Sequence, residues 1–261
     1  MNIIKNSKKI AWVTGGGTGI GSEIVKILVR NNWKVVISGR RLEKLKLTKE
    51  YDKKNIIPLR LDVTSELECK NVVKEILSRF GRIDLIILNA AAYNPGPLNF
   101  QNLSKIKTVM DINLMGQINC LSYVLPIMKK KNRGQIVFVS SPAGFKGLPN
   151  AGIYGVTKSA LTFLAESMYL ELLDYNIKIQ VVHPGFIKTP MTDKNTFPMP
   201  FLMSANKAAK IIYKNLFSSK FEIYFPKRLI FPMKILSILP YKVYFFIMKR
   251  ILKNTIKLPS K

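Results

Sequence analysis

The chain has 261 residues, 48% of them hydrophobic, and its 42 Lys and Arg against 15 Asp and Glu give a net charge of +27. That length suits a single α/β unit, and that apolar content excludes intrinsic disorder. So positive a field attracts polyanions, either nucleic acid or an anionic membrane surface, unless it is simply a lysine-rich solvated surface.

In chain order, the opening stretch MNIIKNSKKIAWVTGG has no apolar segment of signal-peptide length before a strand-like run begins, which argues against export and for a cytoplasmic protein. β-rich apolar runs recur at 10–14, 34–38, 56–61, 85–88, 135–140, 178–182 and 221–225. Amphipathic segments such as 22–31 and 65–80 lie between them, with apolar residues three and four apart. This alternation predicts an α/β fold of the Rossmann type: a doubly wound parallel sheet of about seven strands with helices on both faces. Cys69 and Cys120 are distant in sequence and outside any metal-ligand spacing, so no metal site is expected; they imply a reduced compartment or indifference to redox.

The first strand runs straight into TGGGTGIG, residues 14–21, followed by a helical pattern. Glycines let the backbone turn sharply and approach a pyrophosphate, whose charge the next helix's N-terminus meets. Gly15, Gly19 and Gly21 are spaced G-x-x-x-G-x-G rather than G-x-G-x-x-G. Further along, AGIYGVTK places Tyr154 and Lys158 four residues apart, on one helical face. An ammonium beside a phenol favours the phenolate and is expected to lower its pKa, suiting it to proton transfer. The loop after the sixth strand, residues 190–203, carries Met191, Phe197, Met199, Phe201, Leu202 and Met203. As a lid it would favour an apolar substrate over a sugar. His183 reads as a strand-end residue rather than a catalytic one.

After Pro226 the composition changes, dividing the chain into a catalytic region, 1–226, and a basic amphipathic tail, 227–261. Residues 204–261 hold 13 Lys and Arg and one acid, Glu222, so they contribute +12 of the net charge. Their longest uncharged run, 235–241, falls far short of the roughly 20 residues that span a bilayer. On a helix over 241–258, Lys242, Lys249, Arg250, Lys253 and Lys257 fall within about a 100° arc. Tyr244, Phe245, Ile247, Met248, Ile251, Leu252 and Ile256 occupy the remainder, with Phe246 inside the basic arc. The pattern predicts peripheral attachment to an anionic membrane surface on its cytoplasmic side, the alternative being packing against the protein's own sheet or a second subunit.

Seven motifs in order resemble the short-chain dehydrogenase/reductase family in its compact one-domain form, over roughly residues 8–225. They are TGGGTGIG, DVT at 62–64, LNAA at 88–91, Asn113 in DINLMG, Ser141 in VSSPAG, Tyr154 and Lys158 in YGVTK, and HPGFIKT at 183–189. Ser141, thirteen residues before Tyr154, matches the family interval and is selected over Ser140. The resemblance implies hydride transfer between a nicotinamide cofactor and a carbonyl or alcohol. Tyr154 is then the general acid, Lys158 lowers its pKa and holds the ribose, Ser141 binds the substrate oxygen, and Asn113 orients a water linking the lysine to solvent. Gly15, Thr18, Gly19, Ile20 and Gly21 would cradle the cofactor's phosphates. Asp62 and Val63 would flank its adenine, Asn89 support its ribose, and Pro184, Gly185, Ile187 and Thr189 cover its nicotinamide. A homo-oligomer is also implied.

The family's N-N-A-G is here Leu88, Asn89, Ala90 and Ala91, which requires a negative φ at Ala91. At the end of the second strand an NAD-selective site carries Asp or Glu, whereas this chain has Gly39, Arg40 and Arg41. Guanidinium groups suit a 2′-phosphate, so NADPH is the expected cofactor, with NAD open, and reduction the expected direction. Three rivals are weighed against this reading, besides the oxidative direction of an alcohol dehydrogenase. Sugar-nucleotide epimerases share the Tyr and Lys spacing, but use G-x-x-G-x-x-G and a larger C-terminal domain. A nucleic-acid-binding protein would show zinc-ligand, RNA-recognition or basic-heptad motifs, and none is present. A cofactor sensor on a degenerate fold is opposed by the complete Ser-Tyr-Lys set.

Overall fold

The computed structural model describes residues 8–255. Seven strands, β1 (Ile10–Thr14), β2 (Lys34–Gly39), β3 (Ile56–Arg60), β4 (Leu85–Leu88), β5 (Gly134–Val139), β6 (Ile177–Pro184) and β7 (Glu222–Phe225), form one sheet in the order β3-β2-β1-β4-β5-β6-β7. Every pairing is parallel. The helices between them are α1 (Gly19–Arg30), α2 (Leu42–Lys49), α3 (Glu66–Phe80), α4 (Leu103–Met110), α5 (Gly116–Lys130), α6 (Gly152–Glu171) and α7 (Ala205–Leu216).

The strands read as continuous apolar runs because helices cover both faces of a parallel sheet. In β1, Ile10 and Trp12 join a core with α3, α5 and α6, while Ala11 and Val13 join a second core with α1 and α7. The period-two alternation thus supplies two cores from one strand. Trp12 is fully buried and satisfies its indole N–H on Ser38 Oγ at 2.9 Å. Cys69 and Cys120, far apart in sequence, meet in the first core as free thiols with Sγ atoms 3.8 Å apart.

Element boundaries shift in two informative places. α1 starts at Gly19 rather than at 22, because the last glycines of the turn already belong to its first turn. β6 runs to Pro184 rather than 182, because His183 and Pro184 pair with Tyr224 and Phe225 of the last strand. Ala91 is absent from the residues of positive φ, which besides glycines are Asn32, Asn132, Asn150 and Phe201, so the alanine fits without strain.

Beyond β7 the chain forms α8 (Lys227–Ile238) and α9 (Tyr241–Thr255). The predicted continuation to 258, with Ile256 and Lys257, lies outside the described residues. Ile230 on α8 and Tyr244 on α9 are buried. The Tyr244 hydroxyl donates to the Gly147 carbonyl at 2.6 Å. Lys146 donates to the carbonyls of Ser237 at 2.9 Å and Leu239 at 3.3 Å, and its ammonium lies over the Tyr241 and Tyr244 rings. Lys234 pairs with Glu222 on β7. The apolar side of α9 is therefore not free: Tyr244, Met248 and Leu252 turn inward, opposite the basic arc. Among the described residues no helix is long and apolar enough to cross a membrane.

Candidate active site

β1 is flanked by β2 and β4, so the chain order reverses beside it and a crevice opens at the strands' carboxyl ends. A cavity of about 920 Å³ occupies that position. Of the residues expected from sequence, it is lined by Gly15, Thr18, Gly19, Ile20, Arg40, Arg41, Asp62, Val63, Asn89, Ser141, Tyr154, Lys158, Pro184, Gly185, Ile187 and Thr189. Gly21 and Asn113 stand behind the lining and hold it in place.

The glycine turn is built for close approach. Gly15 has φ 68°, and a Cβ there would lie 2.8 Å from Asn89 Nδ2 and 3.0 Å from Ala90 Cα. At Gly21 a Cβ would come within 2.2 Å of the Gly15 carbonyl oxygen. The Asn89 amide donates to the carbonyls of Thr14 at 3.0 Å and Gly15 at 3.2 Å. Thr14 Oγ1 in turn accepts from the backbone N–H groups of Asn89 and Ala90 at 3.0 and 3.1 Å. The turn is thereby fixed to the end of β4, with the first turn of α1 facing the cavity. Such a glycine cradle fits a pyrophosphate. Arg40 and Arg41, both exposed, stand at the end of β2 with the half-buried Lys44 one helical turn beyond.

At the other end, α6 carries Tyr154 and Lys158 on one face. Lys158 is buried and donates to the Val139 carbonyl at 2.8 Å, its Nζ 5.5 Å from the centre of the Tyr154 ring. Burial brings its pKa down to about 7. Burial likewise pushes the Tyr154 phenol up to about 12, opposed in part by the Ser141 hydroxyl and reinforced by Tyr93. This corrects the expectation that Lys158 depresses the tyrosine: burial disfavours the charged form of both groups, and for the phenol it outweighs its neighbours. The two serines are used differently. Ser140 Oγ donates to the Lys158 carbonyl at 2.8 Å, whereas Ser141 begins a short 3-10 turn beside Tyr154.

Asn113 lies in a π-helical turn, Asp111–Met115. Its side-chain oxygen accepts from Ala92 N at 2.6 Å, and its amide donates to Ala92 O at 2.9 Å and Thr157 Oγ1 at 3.1 Å. It braces the loop after β4 against α6. His183 is a buried strand-end residue, with Nδ1 2.8 Å from Glu222 Oε1 and Nε2 3.1 Å from Thr162 Oγ1. Burial lowers its pKa, against the opposing pull of Glu222.

Of the loop at 190–203, Met191 and Phe197 line the cavity. Met199, Phe201, Leu202 and Met203 do not: Phe201 and Leu202 face solvent, and Met203 pairs with Ile187 in a short second sheet. Several lining residues were not read from sequence. Lys44 follows Arg40 by four positions on α2, a spacing that marks it. Tyr93 packs edge-on against Tyr154 at 4.8 Å, and Leu229, Met233, Leu236, Met248, Ile251 and Leu252 come from the tail helices.

A crevice shaped for a dinucleotide, with a proton donor at its inner end, is the equipment of an NAD(P)-dependent oxidoreductase acting on CH–OH or C=O groups. A family model described as short chain dehydrogenase matches residues 9–198, and the chain belongs to the short-chain dehydrogenase/reductase family. It is 32% identical over 239 residues to an uncharacterized oxidoreductase of Myxococcus xanthus, covering 90% of this chain and 94% of that one. It is also 32% identical to a 3-oxoacyl-[acyl-carrier-protein] reductase of Thermotoga maritima, over 71% of this chain and 77% of the other. Among solved structures, ElxO with NADP bound superposes with a TM-score of 0.75 at 29% identity, covering 84% of this chain and 98% of that one. A short-chain dehydrogenase from Streptomyces avermitilis, 22% identical, shares the fold with a TM-score of 0.79 over 95% of this chain and 96% of its own.

The low Lys158 pKa has a consequence for stability. Between about 7 in the folded chain and the ordinary 10.5, the unfolded form holds a proton that the folded form has lost. Stability therefore rises with pH across that window, by up to about 1.4 kcal/mol per unit, and this contribution is lost as pH falls toward 7. Thermal melts of the cofactor-free protein from pH 7 to 9.5 should show a rise in Tm that is markedly smaller in Lys158→Met. Equal slopes for the two proteins would show that Lys158 stays charged.

Proposed function

We propose that the chain reduces an apolar ketone or aldehyde to the alcohol with NADPH, Tyr154 acting as general acid. The observation that carries this reading is the single cavity in which Ser141, Tyr154 and Lys158 stand at one end and Arg40, Arg41 and Lys44 at the other. When bound, the cofactor supplies the hydride. Gly15, Thr18, Gly19 and Ile20 would hold its phosphates, Asp62 and Val63 its adenine, and Asn89 and Lys158 its riboses. Pro184, Gly185, Ile187 and Thr189 would cover its nicotinamide. Arg40 and Arg41 would read a 2′-phosphate, since β2 ends without a carboxylate.

Ser141 holds the substrate oxygen where negative charge develops, and Tyr154 gives that oxygen its proton. Held above its ordinary pKa by burial, the phenol carries its proton at neutral pH, the form a general acid needs. Asn113 keeps Thr157 and the loop after β4 in register with Lys158, and with it the water path toward the lysine. The apolar substrate is supported by Phe186, Phe197, Met191 and the tail side chains in the cavity wall, and by the relative whose name specifies a 3-oxoacyl substrate. We assign catalysis to residues 1–226 of a homo-oligomer.

For residues 227–261 we propose attachment to an anionic, cytoplasmic membrane face. Phe231, Ile235, Ile238, Tyr241, Phe245 and Phe246 are exposed on α8 and α9, interspersed with exposed Arg228, Lys242, Lys249 and Arg250. Side chains of these two kinds suit the boundary between head groups and acyl chains.

Tyr154→Phe should cut turnover by about 10²- to 10⁴-fold with cofactor affinity nearly unchanged. Near-normal turnover, on a carbonyl the wild type reduces, would remove the tyrosine from its role. Arg40→Ala with Arg41→Ala should weaken NADPH binding, read by cofactor fluorescence, and spare NADH; equal losses would refute the 2′-phosphate contact. In sedimentation with anionic liposomes at low salt, the full chain should pellet and a chain ending at Pro226 should not. Both forms remaining in the supernatant would leave the tail as a packing element alone.

A further inference from the structure

The tail's inward face is apolar throughout, whereas its outward face mixes cations with apolar side chains. Leu229, Met233 and Leu236 of α8 and Met248 and Leu252 of α9 line the same cavity as Ser141 and Tyr154. Every cation that α8 and α9 carry among the residues with described side chains points elsewhere: Lys227, Arg228, Lys242, Lys249 and Arg250 are exposed, and Lys234 pairs with Glu222. Leu148, Pro149, Phe186 and Phe197 line the same cavity from elsewhere in the chain. A sugar or another polyhydroxylated substrate would leave its hydroxyls unpaired against such a surface, whereas an alkyl chain loses nothing there.

The wall belongs to the resting fold. Tyr244 is anchored on Gly147, Lys146 holds the chain where α8 gives way to α9, and Gly185 is small enough for Leu229 to pack over it, since a Cβ there would lie 2.8 Å from Leu229 Cδ2. Met233 and Met248 are unbranched and polarisable, side chains that conform to a flexible chain rather than to one rigid shape.

We propose that α8 and α9 form a binding channel for the alkyl chain of a long-chain aliphatic carbonyl compound, the reacting C=O at Ser141 and Tyr154 and the chain along Met233, Leu236, Met248 and Leu252. The proposal rests on the reading of the site as a carbonyl-reducing one, which it narrows to a substrate class. Each methylene transferred from water into such a channel contributes about fourfold in affinity.

The test compares 2-dodecanone with 2-butanone on the full chain. Binding is measured by equilibrium dialysis against NADP⁺-loaded protein, where no reduction occurs, and kcat/KM is measured separately with NADPH. Wild type should bind 2-dodecanone at least about 100-fold more tightly than 2-butanone. Met233→Trp, which fills the channel, should lose at least about tenfold in affinity and in kcat/KM for 2-dodecanone, and the ratio of 2-dodecanone to 2-butanone should fall at least about tenfold in both. Leu252→Trp, on the other helix, replaces it if circular dichroism shows Met233→Trp unfolded. A wild type that does not discriminate between the ketones, or a folded tryptophan variant that still binds 2-dodecanone normally, overturns the channel. Strong chain-length discrimination in binding with neither ketone reduced upholds the channel and refutes the reductase reading instead.

Discussion

The Asn89 side chain bridges the end of β4 and the carbonyls of Thr14 and Gly15, and much of the site depends on that bridge. The run of glycines at 15–17 has no side chains with which to hold itself, so its shape comes from neighbours: the Ser38 carbonyl, which accepts from the Gly15 and Gly16 N–H groups, and Asn89. Asn89 acts at the place where the chain leaves β1 for one half of the sheet and later returns through β4 for the other. The backbone N–H groups of Asn89 and Ala90 close the same knot through Thr14 Oγ1, and Gln117 Nε2 secures the Ala90 carbonyl at 2.6 Å. Removing the knot would free the turn from the strand that carries the loop to Asn113, and so loosen both ends of the cavity together.

Much of this was legible in the sequence because it is local. Buried parallel strands are short apolar runs, and the glycine turn, the Tyr154 and Lys158 spacing and the paired arginines each lie within one segment. What was not legible is what depends on neighbours brought in from afar. Tyr93 reaches Tyr154 only because the loop after β4 is pinned by Asn113. The inward turn of Tyr244, Met248 and Leu252 is set by Gly147 and Lys146, nearly a hundred positions earlier, so an amphipathic stripe alone could not say which partner covers it. The protonation of the Tyr154 and Lys158 pair was misjudged for the same reason: spacing gives proximity, whereas the dielectric around the pair is a property of the whole fold.

The cavity joins two solvation regimes. Its outer end, under Arg40, Arg41 and Lys44, is open to water, where positive charge can meet an anion without a large desolvation cost. Its inner end holds Ser141, Tyr154 and Lys158, and burial there disfavours the charged forms of the lysine and the phenol. A ligand spanning both would be anchored by charge at one end and present its reacting oxygen to Ser141 and Tyr154 at the other.

The tail's place after β7 also sets an order of assembly. α8 follows directly from β7, the last strand to enter the sheet, and packs on segments made much earlier, among them Gly147 and Gly185. During synthesis all seven strands leave the ribosome before these helices, which then dock on surfaces already made. Until they dock, Leu148, Phe186 and Phe197 lack the cover of the tail helices.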